Sequence, residues 1–175
     1  MKLTLDVENT VTKRDGKMYL DPFEPDNKLV MVGCLTDKGE EYLYRDDFSG
    51  VQAHLDEATI LIGHNIAYDL MWLWESGFKY DGPVFDTMLA EYVLQRGQKE
   101  PLSLEMCANR YELETKKQDS LKEYFRKGVT TRDIPIDELT EYLSADLHAT
   151  QQLADKLYYR LNTVPDAGLL ETVTL

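Results

Sequence analysis

The sequence predicts an α/β domain in which a central mixed β-sheet, an antiparallel hairpin joined to parallel strands, is flanked by α-helices. Residues 2–8 alternate between apolar and polar side chains, which is the period of a β-strand with one buried face. The apolar run 29–35 is followed by a turn and a return strand at 40–45, which predicts a hairpin. From residue 47 onward, helix-like and strand-like segments alternate. This order is typical of a mixed sheet with helices on its faces.

The remaining elements follow from local signals. Residues 9–28 are polar and contain one glycine and two prolines, so we predict a long loop there. Gly77 is a natural helix stop, Asp86 is suited to capping a helix, and Pro135 is suited to opening one. We predict short strands at 59–63 and 84–85, and helices at 47–57, 65–76, 86–95, 103–110, 119–127 and 135–161.

The composition indicates one soluble domain of 175 residues, with 43% hydrophobic residues. Its 19 Lys and Arg residues against 32 Asp and Glu residues give a net charge of −13 and a pI near 4.6. This balance argues against a protein that coats duplex DNA, because such proteins replace phosphate counterions with cationic side chains. It is compatible with an enzyme whose carboxylates bind metal cations that in turn bind phosphate.

Asp6 and Glu8 stand two residues apart on the first predicted strand, so both side chains project from one face, opposite Leu3, Leu5 and Val7. If this strand is central, two carboxylates project from the middle of a sheet. Buried carboxylates without a partner are costly, so they would require cations. Mg²⁺ or Mn²⁺ suits such oxygen ligands. The alternative is an edge strand whose carboxylates face solvent.

Two further pairs are spaced four residues apart. Asn65 and Asp69 follow the strand at 59–63, and we expect them on one face of the next helix. They can also be ordinary helix-start residues, with Asn65 as the N-cap and Asp69 facing the helix dipole. Tyr142 and Asp146 flank the apolar stripe of the last helix, at the boundary between core and cleft. Their alternative roles are a core aromatic residue and a solvated acid.

The order of these motifs carries more information than any one of them. D-x-E on the first strand, N-x₃-D at a strand-to-helix junction and Y-x₃-D on the last long helix resemble the DEDD exonuclease superfamily, in its tyrosine-containing DEDDy subgroup. The runs GHNIAYDL at 63–70 and FDTMLA at 85–90 are similar to the 3′–5′ proofreading domain of family A DNA polymerases, particularly phage-type ones. The histidine-containing subgroup would carry His at the position of Glu141. The resemblance covers about residues 1–160.

This resemblance implies a ribonuclease H-like fold and a reaction that uses two divalent cations, Mg²⁺ or Mn²⁺. It implies that Asp6, Glu8 and Asp146 hold the cation that activates water. It also implies that Asp6 bridges to the second cation and that Asp69 supports that cation through ordered water. The hydroxyl of Tyr142 would orient the attacking water.

The resemblance also gives candidate substrate contacts, which are His64, Asn65, Val7 and Asn9. His64 could stack on a terminal nucleotide or form a hydrogen bond with it, as could Tyr68, for which a core role is equally open. At Asn9 many relatives carry Thr. For the apolar wedge with which the family separates terminal bases, our candidate is Val11.

Few cationic side chains are available for contacts with a nucleic-acid strand. They are Lys13, Arg14 and Lys17 in the predicted loop, and Lys116, Lys117, Lys122, Arg126 and Lys127 ahead of the last helix. Such charges more often form a solvated helix face.

We therefore expect a metal-dependent 3′–5′ DNA exonuclease that releases nucleoside 5′-monophosphates from single-stranded or frayed 3′ ends, as in proofreading. The alternatives are an RNA 3′–5′ exonuclease of the same superfamily, and a catalytically silent structural or partner-binding module of a polymerase. The partners would be a single-stranded DNA 3′ end and a DNA polymerase or processivity protein. Residues 1–161 would form the exonuclease domain, and 162–175 a tail or the start of a polymerase segment.

The sequence also indicates the cellular compartment. Cys34 and Cys107 do not form a disulfide framework, which favours a reducing cytoplasm, or the host-cell cytoplasm if the chain is phage-encoded. The longest apolar run, 29–35, is too short to span a membrane. No signal peptide is recognisable at the N-terminus. We therefore expect a cytoplasmic protein that has no membrane partner.

Overall fold

The computed structural model describes residues 1–113 and 119–163. Within them, the strands are β1 (Lys2–Asn9), β2 (Thr12–Arg14), β3 (Lys17–Tyr19), β4 (Leu29–Thr36), β5 (Glu41–Arg45), β6 (Ile60–Gly63) and β7 (Val84–Asp86). The helices are α1 (Val51–Glu57), α2 (Ile66–Glu75), α3 (Thr87–Leu94), α4 (Leu104–Arg110), α5 (Asp119–Arg126) and α6 (Ile136–Thr163), with a 3₁₀ turn at Thr131–Asp133 before α6. None of these helices is both long enough and apolar enough to cross a bilayer.

Strand β1 lies at the centre of a five-stranded sheet whose order is β5-β4-β1-β6-β7. It pairs antiparallel with β4 and parallel with β6, while β5 and β7 form the edges. The sheet is therefore mixed, as the sequence predicts. The central position of β1 excludes the solvent-facing edge strand that was the alternative for its two carboxylates.

Helices cover both faces of this sheet. The apolar face of β1 packs against α1 and α2, where Leu55 and Leu73 join Leu3 and Leu5 in one buried cluster. The opposite face packs against α6, and a third cluster joins β6 and β7 to α3, α4 and the C-terminal half of α6. Since α6 crosses the face from which Asp6 projects, the fold brings a helix over the carboxylates of β1.

The predicted long loop at 9–28 was wrong in one part, because it contains the β2–β3 hairpin. Arg14 pairs with Lys17, and the two residues between them, Asp15 and Gly16, have φ values of 50° and 76°. Positive φ at both central residues is the geometry of the tight hairpin turn that Asp-Gly favours. The dipeptide was therefore a hairpin signal inside a segment whose composition is typical of a loop.

Helix α1 begins later than the sequence predicts. It starts at Val51 rather than at residue 47. The side chain of Asp47 accepts a hydrogen bond of 2.9 Å from the backbone N–H of Ser49, which closes a local turn instead of a helical one. The other predicted helices agree with the structure within about two residues.

Both cysteines are buried as free thiols. Burial raises the pKa of Cys34 to about 12 and that of Cys107 to about 11. Cys34 lies on β4 and Cys107 on α4, in two different core clusters. They are packing residues of the sheet and of the helical layer.

Candidate active site

The carboxylates of Asp6 and Glu8 project from the middle of the sheet. Leu3, Leu5 and Val7 are at most 5% exposed on the opposite face of β1, whereas Asp6 and Glu8 are partly exposed. The alternation of β1 therefore buries its three apolar side chains beneath α2 and directs the two acids toward α6. The predicted shared face of the two carboxylates is confirmed.

Asp146 reaches these carboxylates from α6, although it is 140 residues from Asp6 in the chain. A ligand oxygen from each of Asp6, Glu8 and Asp146 lies within 4.8 Å of the other two. Neighbours of Asp146 on α6, Leu143 and Leu147, are fully buried against the sheet. Packing of the predicted apolar stripe against the sheet therefore fixes the distance of α6 from the sheet and the direction in which Asp146 projects.

Gly33 on β4 allows α6 to approach this closely. It pairs directly with Asp6, and a Cβ atom placed on it would lie 2.6 Å from Cδ1 of Leu147 and 3.1 Å from Cγ of Leu143. A contact of 2.6 Å between carbon atoms is far inside van der Waals distance. Sequence reasoning missed this residue, because a glycine inside an apolar strand indicates a close approach without naming the partner.

Asp69 joins the cluster from the first turn of α2. Its side chain is buried, and its Oδ1 accepts a hydrogen bond of 3.0 Å from the backbone N–H of Val7, between Asp6 and Glu8. A side-chain hydrogen bond also links it to Asp6. Asp69 is not a member of the compact group of three carboxylates, so it lies beside that group on the α2 side.

Burial and mutual repulsion raise the pKa values of three of these carboxyls. Burial is the largest cause for Asp6, Glu8 and Asp69 alike. Neighbouring negative charges add to it, since Asp6 and Asp146 both act on Glu8. Such groups ionise together at a large electrostatic cost unless a cation lies among them.

The three clustered carboxylates fit a divalent cation. They offer only oxygen ligands, which are the donors that Mg²⁺ and Mn²⁺ prefer. The charges that act on Glu8 are negative, so a cation would relieve the repulsion. Asp6, Glu8 and Asp146 are therefore the residues that would hold it, with Asp69 next to Asp6.

Tyr142 lies one turn before Asp146 on α6, as its spacing predicts. Burial, and then the negative charge of Asp146, raise the pKa of Tyr142 far above its usual range. A hydrogen bond between the Tyr142 hydroxyl and Asp146 acts in the same direction. The hydroxyl is therefore protonated at every physiological pH, and it can donate one hydrogen bond and accept another beside the carboxylates.

His64 and Asn65, two neighbours in the GHNIAYDL run, have different environments. His64 is half-buried and bonded to the protein, because its Nδ1 lies 2.8 Å from Oγ1 of Thr87 and its Nε2 lies 2.6 Å from the carbonyl oxygen of Leu102. Burial lowers the pKa of His64, so its ring is neutral at pH 7. Both ring nitrogens are engaged, and a nucleotide contact through either would replace one of these bonds.

Asn65 is exposed and adopts a left-handed backbone, with φ of 63° and ψ of 48°. Its side chain makes no capping hydrogen bond, and its backbone N–H instead donates to Oδ1 of Asp86 at 2.9 Å. The expectation that Asn65 and Asp69 share a helix face was wrong, since Asn65 precedes the helix and Asp69 is buried. Asp86 caps α3 as predicted and holds this junction in addition.

The other two candidate substrate contacts lie at the end of β1. The backbone N–H of Val7 is bonded to Asp69 and its side chain is buried. Asn9 is 8% exposed, and its Oδ1 accepts a hydrogen bond of 2.7 Å from the hydroxyl of Tyr68. Tyr68 also lies within 3.0 Å of the carbonyl oxygen of Leu20. Asn9 and Tyr68 therefore join β1, α2 and the hairpin segment, and a role of either in binding nucleotides stays a prediction.

Several predicted cationic contacts are bonded within the protein. Arg14 forms ion pairs with Glu24 and Asp26. Lys122 pairs with Glu105 at 3.0 Å, and Lys127 with Glu123 at 2.7 Å. This bonding fits the solvated helix face that was the ordinary role for these charges. Lys13, Lys17 and Arg126 are exposed, Val11 is half-buried, and Lys116 and Lys117 lie outside the described residues.

Comparison with known proteins gives one family and one curated relative. The sequence model of the exonuclease domain of family A DNA polymerases, described as 3'-5' exonuclease, matches residues 26–162. DNA polymerase I of Synechocystis sp. (strain ATCC 27184 / PCC 6803 / Kazusa) is 33% identical over 164 residues. The aligned part is 84% of this chain but only 16% of that polymerase.

Solved structures show the same fold at low identity. Brucella melitensis NrnC has a TM-score of 0.63 at 20% identity, over 92% of this chain and 74% of NrnC. A nuclease in its apo form has a TM-score of 0.63 at 22% identity, over 98% and 77% of the two chains. The family B DNA polymerase of Pyrobaculum calidifontis has a TM-score of 0.57 at 17% identity, over 91% and 25%.

The predicted ribonuclease H-like fold is confirmed by these structural likenesses. The family model matches most of the chain, and the aligned part of the polymerase relative is similar to 84% of it. The chain therefore belongs to the 3′–5′ exonuclease domain family of the DEDD superfamily, whose members are hydrolytic enzymes.

Proposed function

We propose that this domain removes nucleoside 5′-monophosphates from the 3′ end of single-stranded or frayed DNA, as a proofreading exonuclease does, with two divalent cations, Mg²⁺ or Mn²⁺. The observation that carries the proposal is the convergence of Asp6, Glu8 and Asp146 within 4.8 Å, with Asp69 hydrogen-bonded beside Asp6. A structure of Brucella melitensis NrnC contains bound Mg²⁺, which supports a divalent cation at a site of this fold.

The residues have separate roles in this reaction. Asp6, Glu8 and Asp146 would hold a cation that promotes attack by water, and Asp6 and Asp69 are the acids available to a second one. Bound cations supply charge that stabilises the entering and leaving oxygens of an in-line displacement. Tyr142 is neutral, so it positions the attacking water through its hydroxyl and does not accept the proton of that water. The water oxygen forms a bond to phosphorus as the P–O3′ bond breaks. The water releases one proton and the 3′ oxygen takes up one from solvent, so that it leaves as a hydroxyl group.

DNA is the proposed substrate because the family model and the polymerase relative both belong to DNA polymerases. RNA is the second candidate, since one structure of NrnC contains pGG. The two differ at the 2′-hydroxyl group, which a protein must accommodate or exclude near the 3′ end. A polymerase or processivity protein as partner is part of the proposal, because the likeness covers only 16% of the polymerase relative.

The test is a gel of 5′-labelled DNA and RNA strands of the same sequence, incubated with Mg²⁺, Mn²⁺ or EDTA. We expect DNA to shorten from the 3′ end with either metal, and no shortening in EDTA. Asp69→Ala should abolish the ladder, whereas Asp155→Ala, an exposed acid on α6, should leave it intact. Faster shortening of RNA would assign the second candidate, and inertness toward both strands would assign a silent module.

A further inference from the structure

The β2–β3 hairpin has one face that is bonded to the protein. Thr12 pairs with Tyr19 and Arg14 pairs with Lys17, and cross-strand partners share a face. On this face Oγ1 of Thr12 donates to Oδ1 of Asn27 at 2.7 Å. Arg14 adds its ion pairs with the segment that follows the hairpin. This face therefore rests on residues 24–27.

The other face of the hairpin carries Lys13 and Met18, which pair with each other and are both exposed. Met18 is 55% exposed, Leu20 is 46% exposed and Phe23 is 65% exposed. We call these three side chains the hairpin patch. Exposed apolar side chains that lie close together indicate a binding surface more strongly than single scattered ones do.

The backbone beneath the hairpin patch is fixed. The carbonyl oxygens of Tyr19 and Asp21 accept hydrogen bonds of 3.0 and 2.9 Å from Nδ2 of Asn27. The carbonyl oxygen of Leu20 lies 3.0 Å from the hydroxyl of Tyr68. Exposure of the patch is therefore a property of a bonded segment rather than of a loose loop.

The hairpin patch is also tied to the carboxylate cluster. Asn9 follows Glu8 directly, and its Nδ2 lies 3.4 Å from the carbonyl oxygen of Leu20. The hydroxyl of Tyr68 donates to Oδ1 of the same Asn9, and Asp69 is the next residue after Tyr68. Two of the acids of the site are therefore one residue away from side chains that bond the backbone of the patch.

The charge of the hairpin differs from that of the whole chain. Residues 10–28, which contain the whole hairpin patch, carry four cations and four acids, whereas the chain as a whole has 19 cations and 32 acids. Arg14 is paired within the protein and Lys17 lies on the same face as Arg14, whereas Lys13 is exposed on the face of Met18. An apolar surface beside an exposed cation is complementary to single-stranded nucleic acid, whose bases stack and whose phosphates are anionic.

We propose that the hairpin patch is a stacking surface for bases of a single strand that enters the active site, and that Lys13 contacts the phosphates of that strand. The inference rests on the proposed function and adds a second binding surface outside the residues 26–162 that match the family. Stacking on Phe23 and apolar contact with Leu20 and Met18 do not require a particular base, which suits an enzyme that removes every nucleotide in turn.

The test compares a long substrate with a short one. The variant carries Met18→Ser, Leu20→Ser and Phe23→Ser, and the control is Tyr92→Ala, which removes an aromatic side chain that is 61% exposed on α3. Each protein is assayed with Mn²⁺ on a ten-nucleotide DNA strand and on thymidine 5′-monophosphate p-nitrophenyl ester. We expect kcat/KM for the strand to fall at least about tenfold through KM, and to fall much less for the ester.

The outcomes separate the two proposals. Equal kcat/KM values for variant and control on the strand would overturn the proposal that the patch stacks on bases. The patch would then be assigned to a protein partner. An equal loss on strand and ester also overturns that proposal, because it indicates a damaged catalytic site. If the wild-type protein cleaves neither substrate, the proposed function itself has failed. Phe23→Ala is a milder variant in case the triple variant does not fold. Thermal melting checks its fold, and its strand affinity in EDTA tests the stacking surface.

Salt dependence tests the contribution of Lys13. Lys13→Gln should lower the slope of log affinity against log salt by about 0.7 for a single strand, which corresponds to one lost phosphate contact. The control is Lys38→Gln, an exposed lysine in the β4–β5 turn. An unchanged slope for Lys13→Gln would contradict the phosphate contact.

Discussion

Oδ1 of Asp69 accepts a hydrogen bond of 3.0 Å from the backbone N–H of Val7, the residue between Asp6 and Glu8. This bond fixes the first turn of α2 against the central strand. It also places a third acid beside Asp6, at the point where two segments 62 residues apart meet. The bond uses an oxygen lone pair and does not require a negative charge on the second oxygen.

Asp69→Asn should therefore separate geometry from charge. The amide oxygen can still accept the bond from Val7, so we expect the melting temperature in EDTA to be unchanged or higher. Loss of the negative charge should remove nearly all exonuclease activity, because Asp69 faces the second cation in the proposed reaction. The measurements are thermal melting and strand cleavage in Mn²⁺, with Asp155→Asn as the control. Activity near the wild-type rate would remove Asp69 from the metal site.

The raised pKa values of the cluster predict how the metal-free protein responds to pH. The folded state of Glu8 binds its proton more tightly than the unfolded state, so its contribution to stability is present at low pH. That contribution is lost as pH rises from the ordinary carboxyl range through the raised pKa of Glu8. Glu8→Gln should then stabilise the protein in EDTA at pH 8 by about 1 kcal/mol, or about 2–4 °C in melting temperature.

The same change should have little effect at pH 4.5, where the folded wild-type side chain is protonated. Mn²⁺ should raise the melting temperature of the wild type at pH 8 and raise that of Glu8→Gln much less. Glu57→Gln, at an exposed position at the end of α1, is the control. A stabilisation that is equal at both pH values would contradict the electrostatic cause.

Tyr142→Phe removes the hydroxyl that lies beside Asp146. We expect kcat to fall about 10²-fold while Mn²⁺ affinity is retained, because misplacement of a reactant costs about this much. The pH profile should show no basic limb from Tyr142 in the wild type, since the pKa of this residue lies far above the assay range. Tyr159→Phe, at an exposed position later on α6, provides the comparison. A KM effect at constant kcat would assign Tyr142 to strand binding instead.

Gly33→Ala tests whether a missing side chain sets the position of α6. The new methyl group would collide with Leu147, so α6 and Asp146 should shift away from Asp6. We expect weaker Mn²⁺ binding and a fall in kcat of at least about tenfold, since small displacements of positioned groups are costly. Calorimetric titration with Mn²⁺ measures the first effect without turnover.

The double variant Gly33→Ala/Leu147→Ala removes the collision. It should recover part of the Mn²⁺ affinity that Gly33→Ala alone has lost, although Leu147→Ala costs about 2–5 kcal/mol of stability as a core truncation. Metal affinity in the double variant no better than in Gly33→Ala would show that the glycine acts in another way.

His64 is predicted to stabilise the fold through its two hydrogen bonds. His64→Ala leaves the half-buried carbonyl of Leu102 without its donor, which should cost about 1 kcal/mol of unfolding free energy. Because burial lowers the pKa of His64, the wild type should also lose stability as pH falls below the ordinary histidine range. The measurement is chemical denaturation at pH 7.5 and pH 5.5. An unchanged stability with a raised KM for the strand would make His64 a substrate contact.

The active-site face was predictable where the signal was local to one element. The alternation of β1 assigned Asp6 and Glu8 to one face, and the spacing on α6 placed Tyr142 and Asp146 beside its apolar stripe. Both patterns hold whenever the element forms, so they did not depend on knowing the fold.

Predictions failed where a distant partner decides the conformation. Asn65 has a helix-start spacing, but its backbone N–H is bonded to Asp86, 21 residues later, and the residue becomes left-handed. Gly33 acquires its role only when Leu147 is placed above it. The hairpin patch depends on Asn27 and Tyr68, which bond carbonyl groups that the sequence pattern does not distinguish.

Because both cysteines are buried, the native protein should be unreactive toward thiol reagents. A reagent that attacks thiolates meets neither an accessible sulfur nor an ionised one at pH 8, because burial holds the pKa of Cys34 at about 12 and that of Cys107 at about 11. A single cysteine introduced at Lys13 would therefore react alone, and a dye attached there would report on strands that approach the hairpin. Labelling of the two native thiols would then measure how often the core opens.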